Sequence, residues 1–536
     1  MKTFKGRIRH TLSRPVTFVA IILTVSGLYT ARKVHQYSAD PSGEKDCPPL
    51  FPNSVRDPSK PSIIQIDAAR NGLPWAQRGG AINDASCLNK TSIHGVVQVT
   101  EPEKIKEALL FAKRNHLKVS IAGIRHSMGG QAFYRNALVL DMTKFNKMSL
   151  DEEAKILTVQ SGATWHEVQK FLHPKFAVKA MQSTDIFTVG GSIAVNAHGM
   201  DHNVGAMART VRSMRIMLAD GSIHEVSRRK NQELFDLVVG GYGLFGIILD
   251  AEIEVTDNVI YERERRIIDY KEFPDIFKKE IESNDKYGLF YGHLSTAPLS
   301  FLREMIIYGY KKVDIVDAEI PPLREVENVK LRRLMLNLAK LGQIGIKWFA
   351  EKYIEPRLET CSVSRNQALK EGETCLVSRN EPMHDSVKYL KNNLANDTDI
   401  LHEYFIPRGQ FIPFVDGVRQ ILRENKANVL NTSVRVVHRE DNYLNYSPND
   451  AFSIVLYLNQ TTDEEANARM RKVTQELIDL TIAHGGRFFL PYQLHYTREQ
   501  LERAYPEIGV FFAAKKKYDP DLVLTNTLYE KYSGGV

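Results

Sequence analysis

Apolar and polar residues follow two periods along this chain, and the changes of period mark its elements. After Thr100-Glu101-Pro102-Glu103, a capping-box pattern with proline in the first turn, Ile105, Ala108, Leu109 and Ala112 share one helical face and Lys113-Arg114 close it. Leu117, Val119 and Ile121 then alternate as a strand, which breaks into Gly123-Ile124-Arg125-His126-Ser127-Met128-Gly129-Gly130-Gln131-Ala132 before a second strand-like run at 137–141. Thr164 and Glu167 repeat the capping pattern ahead of a short helix with Val168 and Leu172 inward. Met214, Ile216 and Leu218 enter an Asp220-Gly221 turn and return through Ile223 and Val226 as a hairpin. Runs at 403–407, 432–437 and 453–458 read as strands separated by helical segments. The predicted fold class is α+β: small α+β units, then a domain whose antiparallel sheet is covered by helices.

The loops between these elements carry the chemistry. A strand that ends in glycines and small residues brings backbone N–H groups against an anion, because no side chain holds the ligand away. The 123–132 stretch is such a pyrophosphate cradle, with His126 in its middle. A second small-residue stretch, 188–199, contains Gly190-Gly191, Asn196 and His198, and permits close approach of a large flat or anionic ligand. Gly241, Gly243 and Gly246 match G-x-G-x-x-G, but they follow a helical segment and open the strand that begins at Ile247, the reverse of a Rossmann fingerprint. They read as a third backbone approach to the same ligand. His198 and His202 invite a metal reading, yet Gly199 breaks helical spacing and no carboxylate or cysteine completes a set, so no metal is expected.

The ends of the chain change the picture. Residues 15–31 are uncharged and apolar, at the short limit for a spanning helix, with five Lys/Arg before them and two after. The expectation is a cytoplasmic basic tail at 1–14, a single-pass transmembrane anchor at 15–31, a proline-rich spacer over 32–81 and a catalytic domain on the non-cytoplasmic side, or a secreted protein if the segment is a cleaved signal. The formal net charge of +7 is the sum of Lys2, Lys5, Arg7, Arg9, Arg14, Arg32 and Lys33, so the folded remainder is neutral and a nucleic-acid partner is excluded. In an exported chain, local pairing would join Cys47 to Cys87 and Cys361 to Cys375; four cysteines allow three connectivities, and free buried thiols are the alternative.

The three glycine-rich stretches together resemble a known family. His126-Ser127-Met128-Gly129-Gly130-Gln131-Ala132 is similar to the flavin-attachment loop of cytokinin dehydrogenases and aldonolactone oxidases. Residues 188–199 and 240–255 are similar to segments of decaprenylphosphoryl-ribose oxidases. All belong to the vanillyl-alcohol-oxidase superfamily, whose FAD-binding domain is of the two-subdomain PCMH type. The resemblance implies an FAD-binding domain over 82–258, a substrate domain over 259–495, and a C-terminal segment, 496–536, returning to the FAD domain. It implies FAD contacts at Gly123, Arg125, His126, Ser127, Gly130, Gly190, Gly191, Asn196, His198, Gly246 and Ile247. It also implies covalent attachment through His126, with a pocket-lining histidine as the alternative.

Departures from the family leave the substrate open. Aldonolactone oxidases activate a hydroxyl with a Glu-x-Arg pair and a lysine; here the matching positions read Ser433-Val434-Arg435 and Pro491-Tyr492-Gln493-Leu494-His495. Arg435 remains, and a base is still needed, for which Tyr492, His495 and Glu403 are the candidates. Residues 328–350 hold no acid but five basic residues among Leu334, Leu338, Leu341, Trp348 and Phe349, either a basic lid against lipid headgroups or a helical excursion with solvated lysines, broken near Gly342 and Gly345. The expected activity is oxidation of a CH–OH group on a sugar, polyol, aldonolactone or lipid-linked sugar, with oxygen or a membrane acceptor taking the electrons. Amine dehydrogenation and a flavin-binding, non-catalytic membrane partner are the rivals.

Overall fold

The computed structural model describes residues 14–39, 72–313, 320, 322–323, 328–341, 344–354, 376–384, 390 and 392–534. Three larger sheets organise it, and the first two bracket the glycine-rich stretches. In the first, Gly95–Gln98, Leu138–Asp141 and Val119–Ala122 are parallel neighbours, with Trp75–Arg78 antiparallel on the edge. The helix Pro102–Arg114 packs Ile105, Ala108, Leu109 and Ala112 on this sheet. It starts one residue later than the capping box predicted: Glu101 is the N-cap, its side chain makes no capping bond, and Pro102 takes the first helical position, where its missing N–H costs nothing. The second capping box forms as expected, with Thr164 accepting from Glu167 N and Glu167 returning to Thr164 N at 2.8 Å.

The second sheet has the order Ile223–Ser227, Val211–Met217, Ile247–Asp257, Ile156–Gln160, Met148–Asp151, all antiparallel. Its first pair is the predicted hairpin, with Gly221 at φ 86° in the turn. The third sheet has eight strands, all antiparallel, in the order Leu376–Ser378, Ile260–Asp269, Glu304–Lys312, Tyr287–Leu294, Asn428–Val437, Ala451–Thr461, Asp397–Pro407, Arg487–Phe488. Helices Phe411–Glu424 and Glu464–Ala483 cover one face through Phe414, Val418, Val473 and Leu477. The other face looks toward the glycine-rich stretches.

The end of the chain is sewn into the first sheet. Val119 N donates to Val523 O at 2.7 Å, Thr525 N to Val119 O at 2.9 Å, and Ser120 Oγ to Thr525 O at 2.9 Å. Thr527 Oγ1 then donates to Gly129 O, and Asn526 Nδ2 to Tyr242 O, at 2.9 and 2.8 Å. Two glycine-rich stretches therefore rest on residues some four hundred and two hundred and eighty positions later.

The N-terminal expectation is corrected. The 15–31 run lies in a helix, Arg14–Ser38, but no helix among the described residues is long and apolar enough to cross a membrane. Thr17, Thr24, Ser26, Gly27 and Thr30 dilute the run, and Arg32 and Lys33 interrupt the helix before its end. The tail before residue 14, most of the proline-rich spacer, and Cys47, Cys361 and Cys375 lie outside the described residues. Cys87 is disulfide-bonded, to a partner also outside them. The basic segment forms two helices rather than one, Val329–Lys340 and Ile344–Phe349.

Candidate active site

One cavity of about 1030 Å³ runs between the first two sheets and the third, at the top of the range usual for ligand sites and large enough for a cofactor and a substrate together. Its first half is walled by backbone from Gly123 to Met128, by Gln182 to Thr184, by Gly190 and Gly191, and by Gly243 and Gly246. Close approach is built in at Gly190, whose N–H donates to Ser161 O at 2.8 Å; a Cβ there would stand 2.6 Å from the Ser161 Cβ. Arg125 holds φ 61°, a left-handed conformation uncommon for a side-chain-bearing residue, at the turn of the cradle. Buried polar atoms on this wall, Ser161 Oγ and Thr184 Oγ1, have no hydrogen-bond partner among the described residues.

The cradle is held from beneath by Asp84. Its Oδ2 accepts from Gly130 N and Asn89 Nδ2, each at 2.9 Å, and its Oδ1 from Ser86 N at 3.0 Å. Burial pushes this carboxyl up to a pKa of about 6, against the opposing pull of the Ser86, Gly130 and Asn89 hydrogen bonds.

The second half of the cavity is a face of the eight-stranded sheet, and strand register decides what it presents. Glu403 pairs with Val455, Val455 with Ser433, and Ser433 with His293, so these four form one row across four strands. Two residues along on the same face, Leu401, Tyr457 and Asn431 form the next row. All seven line the cavity, as do Arg435 and Tyr291. His402 and Tyr404 point to the helix side, where Tyr404 and Phe414 rings meet at 6.1 Å.

Glu403 is the centre of this face. His198 Nε2 lies 2.5 Å from its Oε1, Ser453 Oγ donates to the same oxygen, and Tyr492 OH donates to Oε2 at 3.2 Å. Burial pushes the carboxyl up, yet the charge of His198 and the hydrogen bonds from His198, Ser453 and Tyr492 hold it below the usual value, so it is ionised at neutral pH. Burial and the Glu403 charge drive the Tyr492 hydroxyl well above its ordinary value and keep it protonated. Arg435 stacks on Tyr291, 4.8 Å from the ring centroid, and its buried Nη1 has no hydrogen-bond partner among the described residues.

Of the sequence candidates, Gly123, Arg125, His126, Ser127, Gly190, Gly191, His198, Gly246, Glu403, Tyr492 and Arg435 line this one cavity. Gly130, Asn196, Ile247 and His495 do not. Asn196 spends its amide on Glu440, Asn442 and Ala208 N, Ile247 points into the core behind the first sheet, and Gly130 is tied to Asp84. His495 lies behind the third sheet between Thr474 and Asn467, at 3.2 and 3.1 Å, and burial lowers its pKa to about 3. It is placed as a buried structural histidine rather than a base facing the cavity.

Sequence reasoning did not single out Tyr291, His293, Lys347, Glu351 and His384, which also line the cavity. His293 Nδ1 is 2.6 Å from Glu351 Oε1, and Lys347 donates to Oε2 at 3.1 Å. The alternation Tyr291-Gly292-His293 within a strand was the available signal. His384 belongs to a cluster with His166 and Asp185, in which both Nδ1 atoms approach Asp185 Oδ2, at 2.9 and 2.7 Å. The two imidazoles stack with an interplanar angle of 15°. Nitrogen lone pairs lie in the ring plane, so near-parallel rings do not converge on one ion, and the cluster reads as two imidazoles sharing a carboxylate.

Comparison with known proteins agrees with this wall. Residues 93–227 match a family model described as FAD binding domain. The chain is 33% identical over 170 residues to decaprenylphosphoryl-beta-D-ribose oxidase of Mycolicibacterium smegmatis, covering 31% of this chain and 37% of that protein. It is 28% identical over 163 residues to L-gulonolactone oxidase of Mus musculus, covering 29% and 36%. It is 28% identical over 178 residues to cytokinin dehydrogenase 2 of Arabidopsis thaliana, covering 32% and 35%. The chain thus spans little more than a third of the length of these relatives.

The residues present fit the flavin dinucleotide: backbone from the glycine-rich stretches lines a long wall, and Ser161 Oγ and Thr184 Oγ1 on it have no hydrogen-bond partner among the described residues. Residues 93–227 thus carry an FAD binding domain, and over it the chain is similar to PCMH-type flavin oxidoreductases of the vanillyl-alcohol-oxidase superfamily.

Proposed function

We propose that the protein oxidises a CH–OH group of a sugar, polyol, aldonolactone or lipid-linked sugar. The observation that carries this reading is Glu403, an ionised, buried carboxylate on the wall opposite the flavin segments. FAD, when bound, accepts the hydride from the substrate carbon. Glu403 takes the hydroxyl proton at Oε2, the oxygen that receives only Tyr492 among the described residues. His198 and Ser453 fix the carboxylate through Oε1, and Arg435 Nη1 holds the substrate oxygen as it becomes a carbonyl. Among relatives, the ribose oxidase and the gulonolactone oxidase bear sugar-like names, which supports the substrate class.

Finer parts of the reading are that FAD is bonded through His126, whose ring lines the cavity 5.5 Å from Phe187, and that oxygen or a membrane acceptor reoxidises it. The Cys87 disulfide supports a catalytic domain outside the cytoplasm. A second reading, amine dehydrogenation, is favoured by the match to cytokinin dehydrogenase over the same domain. The test is anaerobic mixing of the purified flavoprotein with sugars, polyols, lactones and secondary amines while the oxidised-flavin absorbance is followed. Bleaching by an alcohol is expected. Bleaching by amines alone gives the second reading, and no bleaching by any member gives a non-catalytic flavin protein.

A further inference from the structure

The cavity leaves the protein through a rim that is itself apolar. Leu331 and Ile354 line the cavity and yet are 51% and 41% exposed. Phe349, 56% exposed, and Tyr353 extend the rim outward, with ring centroids 5.0 Å apart. The Arg14–Ser38 helix is fastened beside this rim by its C-terminal end: Asn337 Nδ2 donates to Tyr37 O at 2.6 Å, and Asn393 Nδ2 to Gln36 O and Ala39 O at 2.6 and 2.9 Å. The rest of the helix projects away from the body. Phe18, Val19, Ile21, Ile22, Leu23, Val25, Leu28 and Tyr29 are all exposed, and at 100° per residue they span about 220° of the circumference, with Ala20, Thr24 and Gly27 on the remaining side.

This distribution says what covers the surface. A helix packed on its own protein shows an apolar stripe of about 100°, whereas this band is about twice as wide and is backed by small residues, the pattern of a helix lying at a lipid interface. The exposed apolar stretch from Phe18 to Tyr29 is about 17 Å long at 1.5 Å per residue and has basic residues at both ends, Arg14 and the tail before it and Arg32 and Lys33 after it, so it lies along a headgroup layer rather than through a leaflet. At its inner end stand Arg32 and Lys33, the latter over the Tyr29 and Tyr37 rings at 5.6 and 5.7 Å, and exposed Lys330 follows on the neighbouring helix. Cations and tyrosines flanking an apolar band match a headgroup layer. The acid of the rim, Glu351, is buried between His293 and Lys347 and offers no repulsion.

We propose that this face docks the protein on an anionic lipid surface, with the apolar band of the N-terminal helix lying in the headgroup layer and the cavity mouth opening at the same level. The inference is independent of the reaction, since its test reads binding to vesicles and not turnover. The test is flotation of the full chain with phosphatidylcholine vesicles with and without phosphatidylglycerol. Binding is expected with phosphatidylglycerol and is expected to weaken with added salt. Leu23→Glu with Leu28→Glu, and separately Phe349→Glu, are expected to lower the bound fraction about tenfold, each removing a large side chain from the apolar phase. Arg32→Gln with Lys330→Gln is expected to remove the preference for the anionic lipid. A full chain that stays behind with both vesicle types overturns the proposal, as do variants that float like the wild type. A concentration-dependent dimer in light scattering, abolished by Phe349→Glu, also overturns it and assigns the face to a second copy.

Discussion

Replacing Glu403 by Gln removes the proposed base while keeping its volume. The expected loss follows from its role: general-base catalysis by a positioned side chain contributes about two to four powers of ten, or roughly 2.7–5.5 kcal/mol at 1.36 kcal/mol per decade. The loss belongs chiefly to the rate of flavin reduction, because Glu403 reaches the glycine-rich wall only through His198 among the described residues, and the backbone cradle at 123–132 and the glycines at 190–191 and 243–246 are built without it. Stability changes too, since the bond to His198 is to a charged oxygen, worth about 1.5–3 kcal/mol. A depressed carboxyl pKa adds stability above the ordinary carboxylate range that is lost as pH falls through the folded value. The wild type is therefore expected to lose stability on acidification that Glu403→Gln does not. In stopped-flow reduction under anaerobic conditions, the variant should keep a wild-type flavin content and slow at least a hundredfold. The acid limb of the wild-type rate should lie below pH 4.5. Reduction within tenfold of wild type, or an acid limb near pH 7, would refute the assignment of Glu403 as the base.

Gly190→Ala should destabilise the protein by about 1–3 kcal/mol and release flavin, because the added Cβ falls 2.6 Å from Ser161, well inside ordinary contact; thermal melts and the flavin-to-protein absorbance ratio check both. His126→Ala should release its flavin into the supernatant on acid precipitation while the wild type keeps a fluorescent band on a denaturing gel; a wild type that also releases it removes the covalent bond. Asp84, raised to about 6 from the ordinary 3.8, favours the folded state fully below the lower value and loses that contribution as pH rises through the higher one. The difference in urea-derived stability between wild type and Asp84→Asn should therefore shift by about 3 kcal/mol between pH 3.5 and pH 7, with the wild type relatively weaker at pH 7.

What was legible in the sequence had local causes. The glycine-rich stretches showed themselves because close backbone approach removes side chains from consecutive positions, and the hairpin because Asp220-Gly221 specifies its turn. The base was harder. The Asp397–Pro407 strand is buried on both faces, so its hydrophobicity does not alternate, and nothing local separates inward Glu403 from outward His402. Only the register with 451–461 and 428–437 does that. His495 looked equivalent to Tyr492 three residues away, yet the backbone between them turns the histidine behind the sheet. The N-terminal run misled for another reason: its hydropathy was judged without the polar residues that dilute it over a full helix.

The stitching of residues 523–527 onto the Val119–Ala122 strand and the 129–130 turn sets an order of events during biosynthesis. A ribosome releases the chain from its N-terminal end, so the cradle strand emerges long before the segment that fastens it. Until that last stretch is free, the cradle strand lacks its bonds to Val523 and Thr525 and the 129–130 turn its bond from Thr527, leaving Asp84 and the 490–492 segment to hold the loop. The cradle is thus completed only at the end of synthesis, and a chain cut short near residue 520 is expected to hold flavin more weakly than the full chain.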